Sequence, residues 1–209
     1  MNYQELVDAS VAYSDRYTDI EVSSNLNTFI ILVEARINRL LKTRQQTARV
    51  YTPTVNNQEF YALPPDWRGM RHIEIIKTTS QSKPNTSASI SITDPQSFEN
   101  KKSNPDGLNY YLIIDDQIKI TPILSAGCSL EIVYYQKVPN LNINNVTNWL
   151  SIDHPDIYLA GITGEISLFA KDYDAATGWF NRLSVAVEEL DTVDWKERWS
   201  GDPLQVRIV

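Results

Sequence analysis

The chain reads as an α+β protein: a helical bundle of N- and C-terminal helices, an inserted small antiparallel β unit, and an extended C-terminal tail. Three observations predict this. Leu26, Ile30, Val33, Ile37 and Leu40 recur at steps of four and three, and Ala176, Phe180, Leu183, Val187, Leu190 and Val193 form a second stripe at helical spacing. Between those stripes, from residue 47 to about 140, apolar residues alternate instead. After Gly201 and Pro203 the chain alternates once more, with no strand left in the sequence to pair with. The segments are 1–46 (first helices), 47–147 (β unit), 148–195 (closing helices) and 196–209 (tail).

Residues 2–15 predict a short amphipathic helix around Leu6, Val7, Ala9 and Val11. Asn25 or Ser24 caps a longer helix that runs to about Gln46, with Glu34, Arg36, Arg39, Lys42 and Arg44 mostly on its polar side. Residues 47–63 read as a hairpin that turns near Asn56-Asn57, and Pro64-Pro65-Asp66-Trp67 breaks the strand. The next segment, RHIEIIK, puts Ile73 and Ile75 on one face. Residues 78–93, rich in Ser and Thr and poor in bulky side chains, read as a long mobile loop ending in a short strand. Asp94 and Pro95 open a short helix to about Lys101. LNYYLII and QIKITPI are strands joined tightly at Asp115-Asp116, and SLEIVYYQKV is a third with Leu130, Ile132 and Tyr134 on one face.

The chain is organised around NWLSIDHPDIYLAGITGEISLFAK, residues 148–171. Asp153 caps its long helix and Pro155 fits the first turn, where an N–H has no partner to lose. Ile157, Gly161, Gly164 and Leu168 share one face; Tyr158, Ile162, Ile166 and Phe169 share the adjoining one. So wide an apolar surface predicts burial on more than one side. Two glycines inside a helix cost ~1 kcal/mol each relative to Ala, which is reasonable where another helix must come close. Asp174 opens the last helix.

Composition limits the function. With 209 residues the chain is long enough for one domain with a real core. No apolar run reaches the ~18 residues of a membrane span, and MNYQELVDAS lacks the basic-then-apolar start of a secretory signal. Cys128 is the only cysteine, so internal disulfides and cysteine-rich zinc sites are excluded; it reads as a small buried hydrophobe. A net charge of −7 with no basic run disfavours gripping duplex DNA, and suits a surface past which DNA slides.

Catalytic apparatus is not legible. His154 stands in the turn before a helix without a nucleophile or orienting partner, and His72 sits on the polar side of a strand. Asp115-Asp116 has the look of a turn, with no metal-loop spacing around it. There is no phosphate-cradling glycine loop. The five tryptophans and eleven tyrosines point to core and interface. Trp195 and Trp199 lie just outside the last apolar stripe. In the tail, Pro203, Leu204, Val206 and Ile208 form a strand-like segment that either folds back on the β unit or adds to a partner. These six residues are the candidate partner-binding set; no catalytic, metal or cofactor residue is assigned.

Three passages together resemble tailed-bacteriophage head-to-tail adaptor (connector) proteins: FIILVEARINRLLKTRQQ leading into strands, EFYALPPDWRGMRHIEI, and NWLSIDHPDIYLAGITGEISLFAKD with the helix after it. The tail after Trp199 carries no part of the resemblance. The resemblance implies a non-enzymatic virion protein of the head–tail neck, assembled in the host cytoplasm. It implies a ring of about a dozen copies, a dodecamer, between the portal protein and a tail nozzle or tail tube protein. Double-stranded DNA would pass through the channel without specific binding, and no membrane or cofactor is involved. The competing expectation is an aromatic-rich virion module that binds carbohydrate or protein through its β unit.

Overall fold

A computed structural model describes residues 1–16, 18–77, 86–102 and 107–199, with the side chains of residues 86, 198 and 199 excepted. In chain order it contains α1 (Tyr3–Tyr13), α2 (Ile20–Leu40), a 3-10 turn (Arg44–Gln46), β1 (Thr47–Pro53), β2 (Phe60–Ala62), β3 (Trp67–Lys77), β4 (Thr86–Ile92), α3 (Pro95–Lys101), β5 (Asn109–Ile114), β6 (Gln117–Thr121), β7 (Cys128–Gln136), α4 (Trp149–Asp153), α5 (Pro155–Phe169) and α6 (Tyr173–Trp199). These form two compact units, one of Met1–Gln45 with Val138–Val209 and one of Gln46–Lys137.

In the helical unit, capping decides where helices start. The Asn2 side chain accepts from the Glu5 N–H while the Glu5 carboxylate accepts from the Asn2 N–H, both at 2.9 Å, which satisfies two free donors of α1. Asp19 caps α2 by accepting from Glu21 and Val22, so this helix begins at Ile20 and not at the expected Ser24 or Asn25. It also ends at Leu40, short of Gln46. The expected single long helix after Asn148 is two. Asn148 caps α4, His154 sits at the junction, and α5 restarts with Pro155 in its first turn, so Asp153 ends one helix instead of capping another.

Helix α5 is the centre of this unit. Every residue from Ala160 to Ser167 is buried. A Cβ at Gly161 would stand 2.5 Å from Val33 Cγ1, and one at Gly164 would stand 2.8 Å from Phe180 Cε1. The two glycines therefore let α2 and α6 approach α5 on two sides, as the sequence predicts. Leu6, Val22, Ile30, Val33, Ile37, Leu150, Ile157, Tyr158, Ile162, Ile166 and Leu183 fill the core around it. The expected stripe of α6 is buried at Ala176, Leu183, Val187 and Leu190, but Val193 is exposed.

The other unit is a seven-stranded sheet in the order β1-β7-β3-β4-β5-β6-β2, nearly closed into a barrel. Its core holds Tyr61, Ile73, Ile75, Ile90, Ile118, Ile120, Leu130, Ile132 and Tyr134. The expected fold class, a helical bundle with a small antiparallel β insertion, is thereby corrected. Nearly half of the described chain is helical, and the sheet is a full layer with its own core. It is also mixed: β4 and β5 pair in parallel, with α3 between them in sequence as the crossover that a parallel pair requires. The expected hairpin of residues 47–63 does not form. Although Asn57 adopts the positive φ of a turn, β1 pairs with β7 and β2 with β6. Part of the expected loop 78–93 is β4, paired with β3 on one side and β5 on the other; residues 78–85 lie outside the described residues.

Candidate interaction surfaces of the helical unit

The helical unit is held at its centre by a buried polar cluster. Glu34 Oε1 accepts from the Leu141 N–H at 2.6 Å and from the Tyr158 hydroxyl at 3.2 Å. Asn148 Nδ2 donates to that same hydroxyl at 2.8 Å and to the Pro139 carbonyl at 2.6 Å. Its Oδ1 accepts from the Ser151 N–H at 2.8 Å. The cluster thus pins the segment Pro139–Asn148, which has little regular structure of its own, onto α2 and α5. Burial pushes the Glu34 carboxyl up to about 7, against the opposing pull of its bonds to Leu141 and Tyr158. Burial, and then the neighbouring Glu34, hold the Tyr158 hydroxyl far above the ordinary phenol range. With these residues buried and their hydrogen bonds made to one another and to the backbone, the cluster positions the chain.

Among the described residues of this unit, exposed apolar side chains gather on surfaces that include the following two. The first is a groove of about 490 Å³ between the end of α1 and the outer sides of α5 and α6. Tyr13 and Trp179 meet edge to face at 5.8 Å, Arg182 lies 4.9 Å over the Trp179 ring, and Leu159 and Val185 also line the groove. Tyr13 is 60% and Val185 53% exposed. Asp156 and Glu189, both exposed, line it as well. The second is the outer side of α2, where Ile31 is 53% and Leu32 47% exposed. Residues 22–33 include no charged side chain.

The far end of α6 is tied down by charge. The Arg44 N–H donates to Asp194 Oδ1 at 3.0 Å, and its guanidinium pairs with Asp194 and Glu197. Arg36 pairs with the buried Glu165 at 3.4 Å and lies 3.9 Å over Phe180, so part of the cationic side of α2 is built into the fold. Burial raises the Glu165 carboxyl and Arg36 opposes that rise.

Of the six predicted partner-binding residues the structure places one in full. Trp195 is on α6 and 64% exposed. Trp199 is the last residue of α6, so the helix continues past the expected start of the tail at 196. The Trp199 side chain and Pro203, Leu204, Val206 and Ile208 lie outside the described residues. Sequence reasoning missed the groove, because Tyr13 and Trp179 are far apart in the chain; its one local signal is Trp179 and Arg182 three residues apart on a helix.

Other residues singled out from the sequence have ordinary settings. The His154 ring stands edge-on to Trp149 at 6.5 Å, and His72 is exposed beside Glu74 at 3.8 Å. Asp115 takes a positive φ in the turn between β5 and β6. Cys128 is half-buried beside the sheet core, not fully buried. Among the described residues no three His, Cys, Asp or Glu side chains gather as a metal site, and no helix is long and apolar enough to cross a membrane.

No curated protein matches the chain. The family model described as SU10 adaptor protein matches residues 1–207, which takes in both units and reaches Pro203, Leu204 and Val206 in the tail. A match of that extent settles the family: the chain belongs to the SU10 adaptor proteins, which are phage head-to-tail adaptors, and it is a structural component of the virion.

Proposed function

We propose that the protein assembles, in the host cytoplasm, as a ring of about twelve copies on the portal. The ring continues the DNA channel, retains the packaged genome and receives the tail nozzle or tail tube protein on its far side. The observation that carries this reading is the adaptor-family match over residues 1–207. The charge distribution supports it. The sheet unit holds nine lysines and arginines and nine acids, whereas the helical unit holds ten against seventeen, so the whole −7 charge belongs to the helices. An acidic surface repels the phosphate backbone and offers it no counterion-release gain, so duplex DNA passes without sticking.

The competing module that binds carbohydrate through its β unit draws less support from the tyrosines: Tyr61, Tyr110, Tyr111 and Tyr134 are buried, which leaves Tyr51 and Phe60 among the exposed aromatics of that unit.

The test is a phage in which this gene carries a nonsense mutation. The expected product is a filled or leaking head with its portal in place and no tail attached, rescued by the purified protein added in vitro. Normal tailed particles from the mutant would overturn the reading.

A further inference from the structure

Two surfaces of the helical unit complement each other in charge and in height. On the outer side of α2, Thr28, Ile31, Leu32 and Ala35 are uncharged, and Arg39 and Lys42 follow at its end. All six are at least partly exposed, and neither Arg39 nor Lys42 makes an ion pair among the described residues. On the groove side of α6, Trp179 and Val185 are followed by Glu189, with Glu188 on the adjoining face beside Val185; both acids are exposed and likewise unpaired among the described residues. Along a helix rising 1.5 Å per residue, about 11 Å separates the Ile31–Leu32 pair from Arg39, and about 10 Å separates the middle of the Trp179–Val185 patch from Glu188–Glu189. The apolar centres and the opposite charges therefore register if the two helices lie parallel.

They do run parallel within the subunit. Phe29 stands against Phe169 and Val33 against Gly161, so α2 is antiparallel to α5. Phe180 stands against Gly164, and Leu190 and Asp194 line one depression with Asp153 and His154, so α6 is antiparallel to α5 as well. Val33 is thus level with residue 183, an offset of 150, and the Arg44–Asp194 hydrogen bond spans that same offset. By this measure Ala35 is level with Val185 and Arg39 with Glu189. In a ring whose axis runs along these helices, each copy keeps its heights, so a neighbour's Arg39 arrives at the height of Glu189.

We infer that the outer side of α2 seats on the α1/α5/α6 groove of a second copy of this chain. Ile31 and Leu32 lie against Tyr13, Trp179 and Val185, while Arg39 and Lys42 lie against Glu188 and Glu189. The two surfaces share no residue, so the contact is heterologous, the kind that propagates around a ring instead of closing a dimer. This rests on the ring reading above and assigns its lateral interface.

Charge reversal tests it on exposed side chains. Arg39→Glu with Lys42→Glu sets acid against acid; Glu188→Lys with Glu189→Lys sets base against base. Each variant, folded by circular dichroism, should self-associate at least tenfold more weakly than the wild type in sedimentation and load non-cooperatively onto portal rings. An equimolar mixture should recover wild-type assembly, because every contact between unlike variants is again attractive. Variants that assemble alone as well as the wild type, or a mixture no better than its components, would overturn the inference. A wild type that binds portal without lateral cooperativity also overturns it while leaving the adaptor reading intact; failure to bind portal at all is the separate failure of that reading.

Discussion

Glu34 stabilises the helical unit by its hydrogen bonds and destabilises it by its charge. Its folded-state pKa, about 7, lies above the ordinary carboxylate value, so between those values the folded chain binds more protons than the unfolded one. Stability from this group is therefore full at low pH and is lost as pH rises through about 7. Glu34→Gln keeps an oxygen for Leu141 and Tyr158 and removes the charge. We expect it to raise the melting temperature at pH 8 and to flatten the decline in stability between pH 5 and 8; an unchanged pH profile would contradict this. Glu34→Ala leaves the Leu141 N–H and the Tyr158 hydroxyl without their acceptor and should cost roughly 2–4 kcal/mol at pH 5 and less at pH 8. Gly161 answers to packing instead. Gly161→Ala places a methyl against the stiff, β-branched Val33, with an expected loss of about 1–3 kcal/mol by denaturant titration. Gly164→Ala should cost less, since the half-buried Phe180 ring can turn aside. Val33→Ala should rescue Gly161→Ala in part, and simple additivity of the two would rule out the contact as the cause.

At the scale of elements, what was legible depended on how local the signal was. The core faces of α2, α6, β3 and β7 are written in their periodicity except at the helix ends, where Leu40 and Val193 are exposed, and the helix-packing role of Gly161 and Gly164 followed from two breakers in an apolar helix. Strand β4 was legible only as a short strand closing a loop, because TSASISI has a single large core residue, Ile90; its length and place come from neighbours on both sides and not from its own apolar content. The missing hairpin of 47–63 is the same kind of error, since a turn at Asn57 does not decide which partners the flanking strands find. The 19-to-20 start of α2 was misplaced because Asp19, Ser24 and Asn25 are all competent caps and only the fold chooses. The groove could not be read at all, as its walls come from three helices. In hydrogen exchange, amides of β4 should be protected like those of β5, and rapid exchange there would contradict its double pairing. For the tail, we propose docking into a neighbouring subunit or the portal through Leu204, Val206 and Ile208. Deletion of residues 201–209 should leave the helical melting transition within about 1 °C while weakening portal binding at least tenfold; for a segment outside the core, a change of that size exceeds an ordinary surface effect. Intact rings of wild-type affinity would sink it.

For the whole molecule, two units with separate cores divide the chemistry. The helices carry the net charge and the exposed apolar surfaces proposed for self-contact, and the sheet unit is neutral overall. That division fits a protein that works by assembly, and the account stands or falls on assembly with the portal. The most direct measurement is the mass and rotational symmetry of the purified protein mixed with the portal of its own phage, by light scattering and negative-stain microscopy. The account predicts a discrete particle in which a second ring is stacked on the portal with matching symmetry. Unchanged portal particles beside free monomer, at concentrations well above those of an infected cell, would contradict it.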